Sequence, residues 1–214
     1  MLYYLPGCHT IRNHPAAGKA MQEYMKMHGA KIAKCCKFEL DYLEPGDTVV
    51  QNCTQCDFIL KERRPDLKVI SLYEYVLEDP HFPWTDLRGE RITVQDCFRM
   101  RNNAAVQSAV RECLAKMHVT CVELKKNRAD TTFCGVWLMN PADPECEALA
   151  PEAFAGFEVY RTVLTPEEQE QRMREWAAQY TTKEVAVYCN GCENGLRLGG
   201  AKPVHMIELL AAGM

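Results

Sequence analysis

Short apolar runs in this chain stop at cysteines. "LYYLPGC" ends at Cys8, "VVQNC" at Cys53, "RITVQDC" at Cys97 and "VAVYC" at Cys189. Apolar runs this short, bounded by turn residues, predict buried strands. Helical stretches lie between them. Residues 16–29 ("AAGKAMQEYMKMHG") and 102–118 ("NNAAVQSAVRECLAKMH") share a Lys-Met-His close. Residues 71–79 and 205–213 predict short apolar helices with Glu74 and Glu208 in matching places. A further helix is predicted over 165–180, where Pro166 precedes acidic residues as a helix start requires.

The order is strand, helix, cysteine site, strand, Cys-x-x-Cys, helix, and it is written twice. In the first copy the middle cysteine site is Cys35–Cys36 and the pair is Cys53 and Cys56. In the second they are Cys134–Gly135 and Cys189 with Cys192. Strands alternating with helices predict an α/β fold of two pseudo-symmetric lobes with largely parallel sheets. The stretch 78–90, rich in proline and charge, places a boundary between lobes at 1–84 and 85–214. The second lobe carries an insertion near 139–182.

Composition alters this picture in one respect. The apolar fraction of 47%, the charged fraction of 25% and the net charge of −4 describe an ordinary globular chain without a general pull toward nucleic acid. The basic runs 61–64 and 124–128 read as solvated faces. Neither a membrane span nor a secretory leader is recognisable, so a cytoplasmic protein is expected. Twelve cysteines is the outlier. Close groups of cysteine in a reducing compartment point to metal or redox chemistry rather than to a disulfide scaffold.

Parallel α/β sheets hold their ligands at the carboxyl ends of strands. Cys8, Cys53, Cys97 and Cys189 follow strands directly. Five thiols should therefore converge in the first lobe (Cys8, Cys35, Cys36, Cys53, Cys56) and four in the second (Cys97, Cys134, Cys189, Cys192). All-sulfur ligation suits zinc or iron–sulfur clusters. Five thiols exceed tetrahedral zinc, and scattered loops suit a multi-iron cluster better than a zinc ribbon. Two other classes remain open: a metal-free thiol–disulfide protein using its Cys-x-x-Cys pairs, and a zinc-stabilised interaction module.

These residues resemble the CCG-domain (cysteine-rich domain) family, which includes the cysteine-rich component of heterodisulfide reductase and iron–sulfur subunits of glycolate, lactate and glycerol-3-phosphate oxidation systems. The resemblance covers nearly the whole chain. It implies that the nine cysteines hold two four-iron (4Fe-4S) clusters, and that the chain is an oxidoreductase component acting on a disulfide, a thiol or a small organic substrate. With no GxGxxG fingerprint, electrons would come from a flavoprotein or ferredoxin-like partner. The first lobe has Lys37 where the family has glycine, yet keeps all five cysteines and is the candidate for a noncubane cluster. The second has Phe133 in place of one cysteine and a long gap before Cys189.

Other residues have plainer readings. Cys113 and Cys121 read as small buried hydrophobes, and the methionines near 21–27 as core. Cys146 reads as a loop thiol, or as a replacement for the cysteine missing at 133. His9 is placed to donate to a cluster sulfur. Arg99 and Arg101 are placed to neutralise an anionic cluster or an acidic substrate. His28 and His118 read as helix C-terminal residues.

Overall fold

The first lobe runs β1 (Leu2–Leu5), α1 (Cys8–Asn13), α2 (Pro15–Met27), β2 (Lys31–Ile32), β3 (Thr48–Gln51), α3 (Thr54–Arg63), β4 (Lys68–Ser71) and α4 (Leu72–Leu77). The second runs β5 (Arg91–Val94), α5 (Ala104–Lys116), β6 (Thr120–Glu123), α6 (Pro144–Glu147), α7 (Pro151–Phe154), α8 (Pro166–Ala177), β7 (Glu184–Val187), α9 (Asn190–Leu198), β8 (Pro203–His205) and α10 (Met206–Ala211). These elements come from a computed structural model, which describes residues 1–38 and 40–214.

Each lobe contains one four-stranded, all-parallel sheet. The orders are β2-β1-β3-β4 and β6-β5-β7-β8, so the second sheet repeats the first. The fold is α/β with two lobes. In both sheets the chain winds outward in opposite directions from the central pair, β1/β3 or β5/β7. That reversal opens a crevice at the carboxyl ends of the central strands, and ligands bind in such crevices. Val49, Val50, Val185 and Val187 in the central strands are fully buried, as strands covered on both faces must be.

Two of the four edge strands, β2 and β6, carry little signal of their own. Lys31–Ile32 is exposed and Thr120–Glu123 only half-buried, so neither has an apolar signature. They are strands because β1 and β5 offer them backbone partners. After Cys8 the expected polar loop is the short helix α1, and after Cys97 it is a single 3-10 turn, Phe98–Met100. The helix predicted over 165–180 is α8, opened by a Thr165–Glu168 capping box. Of the methionines near 21–27, Met21 and Met25 are core, while Met27 is exposed.

The lobes pack in reciprocal fashion, α4 on α5 and α2 on α10. Tyr73 and Tyr188 meet edge to face between them, ring centroids 6.2 Å apart. Each Cys-x-x-Cys helix also touches the other lobe's opening-cysteine segment: α9 meets α1, and α3 meets the Phe98–Met100 turn. The two carboxyl-end crevices therefore face each other.

Matching positions have diverged at the caps. Ser71 caps α4 and His205 caps α10, each in a capping box with Glu74 or Glu208. His205 is wholly buried, its Nδ1 accepts from the Ile207 N–H, and burial pushes its pKa down to about 3. The unfolded chain therefore binds the extra proton between about pH 6.5 and 3, and stability falls as the pH drops through that window. His205→Ser, which restores the first lobe's cap, should remove about 2 kcal/mol of this penalty at pH 5. Urea melts at pH 5 and pH 7 measure it; equal pH slopes in the two proteins would contradict the assignment.

Candidate metal centre in each lobe

The strand ends deliver the opening cysteines and the first cysteine of each pair. Cys53 is the N-cap of α3 and Cys189 the N-cap of α9. Cys56 and Cys192 lie three residues further on, one turn along the same helix face. Gly7 makes the first crevice narrow. Its φ is +74°, and a Cβ there would lie 3.1 Å from Cys53 Cβ and 3.2 Å from Asn52 Oδ1.

The second lobe gathers its thiols tightly. Cys97, Cys189 and Cys192 are buried and present sulfurs within 4.8 Å of one another, a group that can hold a metal ion. Cys134 joins them, its sulfur 3.8 Å from that of Cys97. The cause is a glycine pair. Gly135, at φ +57°, lies so close to the Cys-x-x-Cys turn that a Cβ would stand 1.9 Å from the Gly191 carbonyl oxygen. Gly195 completes the contact, since a Cβ there would lie 2.5 Å from Gly135 Cα, so bare backbone on both sides lets the Cys134 loop lie on α9. The first lobe has Lys37 and Ile59 at the matching places, and its thiols are strung out rather than bunched. Cys36 and Cys56 are 3.3 Å apart, and Cys53 hydrogen-bonds Cys56. Cys35 borders Cys8 and Cys36, while Cys8 is exposed with its sulfur 3.6 Å from His9 Nδ1. The structure thus brings all nine predicted cysteines to two crevices, five and four.

Asp96 fixes the Cys97 turn. It is buried and accepts from both Arg111 guanidinium nitrogens (3.1 and 2.7 Å), the Tyr188 hydroxyl (2.8 Å) and the Arg128 N–H (2.7 Å). The Tyr188 hydroxyl accepts in turn from the Cys97 N–H at 3.2 Å. A satisfied buried network of this kind locks a loop in one conformation.

Arg99 supplies the charge. It is buried at 8% exposure, and its Nε donates to Cys134 Sγ at 3.4 Å. Its guanidinium lies 4.4 Å from the Trp137 ring centroid, and Nη1 donates to Gln55 Oε1 in the first lobe at 3.3 Å. Among the described residues no carboxylate pairs with it; it faces the sulfurs of Cys134, Cys189 and Cys97. Cys134 and Cys189 are held well below the ordinary thiol range, chiefly by hydrogen bonds from Cys192 and Cys97, with Arg99 adding to the effect. Burial pushes Cys97 and Cys192 up. The second site is therefore four sulfurs around one guanidinium, with the pKa lowered at Cys134 and Cys189 and raised at Cys97 and Cys192. In the first lobe, hydrogen bonds from Cys56 and from helix N–H groups bring Cys53 down to about 7, while burial lifts Cys35 to about 11.

The two sites adjoin. Thr54 Oγ1, inside the first Cys-x-x-Cys, donates to Cys189 Sγ at 3.6 Å. Asn190, its counterpart, donates to Thr10 Oγ1 at 3.1 Å. Burial lowers the His9 pKa, helped by Arg12, Lys37 and Arg99 nearby and opposed by Cys189.

Several expectations need correction. Cys146 is in the one-turn helix α6, buried, and faces Lys37 and Asp143. It belongs beside the first lobe's cysteines and does not replace a ligand in the second. Arg99 and Arg101 part company, since Arg101 stacks on Phe98 (3.8 Å) and lies over Phe157 and Tyr160. Cys121 is a half-buried strand residue. Cys113 is fully buried, so Cys113→Ala should cost about 1–2 kcal/mol and leave metal content unchanged, read by urea melts and metal analysis. Sequence reasoning missed His14, whose Nε2 and Nδ1 meet Glu193 (2.8 Å) and Glu208 (3.1 Å). Those donor atoms also lie within 4.8 Å of one another, but with both ring nitrogens taken by carboxylates the trio is a clasp between lobes.

Comparison of the chain with protein-family models, with curated proteins and with solved structures finds no match. Its site is therefore read from its own geometry. Among the described residues no helix is long and apolar enough to cross a membrane.

Proposed function

We propose that the chain is an iron–sulfur redox protein or subunit of the kind exemplified by the cysteine-rich component of heterodisulfide reductase, with one cluster in each lobe. The observation that carries this reading is the buried Arg99 guanidinium set against four converged thiols. A buried cation without a carboxylate is costly unless a compensating negative charge is close. Thiolates retained on a metal supply that charge at any physiological pH, since coordinating thiols are deprotonated. The donor chemistry fits: all-sulfur, buried, delivered by loops at strand ends. Cys97, Cys134, Cys189 and Cys192 would hold one four-iron cluster, and Cys8, Cys35, Cys36, Cys53 and Cys56 the other, which is the candidate for a noncubane form. Bound clusters supply one-electron chemistry. Thr54 and Arg99 bridge the sites, and Arg12, Lys37 and Arg99 near His9 would favour an anionic disulfide, thiol or small organic substrate. Electrons would come from a flavoprotein or ferredoxin-like partner in the same compartment, for which the cytoplasm is our reading.

One observation favours a second reading. Cys53 caps a helix with its pKa near 7, and Cys36 and Cys56 lie 3.3 Å apart, as a metal-free dithiol catalyst would require. Anaerobic purification followed by iron, sulfide and zinc analysis and EPR separates the cases. About eight irons with matching sulfide are expected for two four-iron clusters. Zinc alone, or free thiols without metal, would overturn the proposal.

A further inference from the structure

The chain between Cys134 and β7 does more than connect. It folds over the back of the Cys134 loop and leaves a cavity of about 200 Å³. It opens to solvent at a rim of Thr132, Tyr160, Thr162 and Arg172, all exposed, and its floor lies beside a candidate ligand loop. The corresponding first-lobe stretch, between Cys36 and β3, is much shorter in sequence.

The walls are mostly apolar. Phe133, Leu138, Met173 and Trp176 form the floor and sides, Cys134 and Gly135 belong to the same lining, and Thr132 and Thr162 add hydroxyls. Arg172 is the one charged residue in the lining. Its nearest ionic contact is Glu175 at 3.9 Å, too long for a hydrogen bond, whereas Arg161 is closely paired with Glu147 at 2.8 Å. The Arg172 side chain is 60% exposed at the rim, where its guanidinium is solvated and open to an incoming anion. The walls are also preformed. Phe133 stacks on Trp176 with ring centroids 4.9 Å apart, and Trp176 Nε1 donates to Gln95 Oε1 at 2.9 Å. The strap over the cavity is tied down by Thr162 N–H to Leu138 O (2.9 Å) and Leu164 N–H to Met139 O (3.0 Å). An apolar hollow with a few fixed polar groups is the usual form of a small-molecule site.

We propose that this cavity binds a small organic carboxylate with a compact apolar or aromatic body, the carboxylate on Arg172 and the body against Phe133 and Trp176. The ligand would then sit behind Cys134, on the far side of the loop that Gly135 presses against Gly191. A guanidinium pairs a carboxylate through two parallel hydrogen bonds, which is why the charge and the planar head belong together. This inference goes beyond the cluster proposal and does not depend on iron being present.

The test is calorimetric titration of the anaerobically purified protein with phenylacetate and 4-methylpentanoate, with phenethylamine as the cationic control. Saturable binding of both acids is expected, with at least tenfold weaker binding of the amine. Arg172→Gln should weaken the acids about tenfold, the equivalent of one charge-assisted contact. Thr162→Phe, which fills the cavity from its rim, should abolish binding while iron content and circular dichroism stay unchanged. No saturable binding to the wild-type protein overturns the inference, as does affinity unaffected by both substitutions. A protein that binds the acids but holds no iron retains this site and loses the cluster proposal; an iron-loaded protein that binds neither acid does the reverse.

Discussion

Gly135→Ala is expected to break the second lobe's cysteine group. The new Cβ would lie 1.9 Å from the Gly191 carbonyl oxygen, 2.7 Å from its carbon and 3.2 Å from Cys192 Cα. All three are backbone atoms at the start of α9, so no side chain can turn aside to make room. Residue 135 also holds φ +57°, where a side chain adds strain of its own. The Cys134 loop must lift away from the Cys-x-x-Cys turn, and Cys134 with it. The cost should be large, about 4 kcal/mol or more, because steric overlap and backbone strain act together. Metal bound at the second site should be lost. Urea melts and metal analysis of the purified variant test this. Lys37→Ala is the control, since Lys37 has no positive φ. Its replacement should change stability by less than about 1 kcal/mol. A Gly135→Ala protein with wild-type stability and metal content would show that the glycine contact is not what assembles the site.

Replacing Arg99 should change the chemistry of the second site while leaving the fold in place. The guanidinium is 3.4 Å from Cys134 Sγ and among the described residues has no carboxylate partner. In metal-free protein, Arg99→Leu removes a positive charge that helps to lower the Cys134 and Cys189 pKa values. Their alkylation should slow at neutral pH by about tenfold, because less thiolate is present. In protein loaded with clusters, a nearby positive charge favours the more negative, reduced state. Its loss should therefore lower the second site's potential, by about 100 mV if the charge is worth a little under two tenfold factors in a one-electron couple. Arg99→Lys should keep part of the effect, as a charge without the planar fork that spans Cys134 and Gln55. Spectroelectrochemical titration of the three proteins measures it. Equal potentials would mean that Arg99 serves packing against Trp137 and no more.

Both expectations turn on contacts that no local reading reveals. Gly135 and Gly191 look like two ordinary loop glycines until the chain brings them together. Arg99 and Arg101 lie two residues apart in one basic stretch. The Phe98–Met100 turn sends the first inward to the sulfurs and leaves the second stacked on aromatic rings. Cys146 sits beside the first lobe's cysteines, against what its place in the chain suggests, because the insertion that carries it folds back across the molecule. There Phe58 of α3 meets Phe154 and Phe157 at 5.8 and 6.0 Å. The His14 clasp joins residues at opposite ends of the chain, and its members sit in unremarkable local contexts.

The sequence by itself determined the twofold plan: four short strands that each stop at a cysteine, with helices between them and one closing each copy. Those features depend on apolar periodicity and on turn and cap residues, and these act over a few neighbouring positions. The helices α3 and α9 that the Cys-x-x-Cys pairs open are not part of that reading. Tertiary structure alone decided how close the thiols come. Sulfur-to-sulfur distances follow from backbone segments many residues apart, pressed together wherever side chains are small enough to allow it. That is why two copies of one pattern yield a bunched set of four thiols in the second lobe and a strung-out set of five in the first.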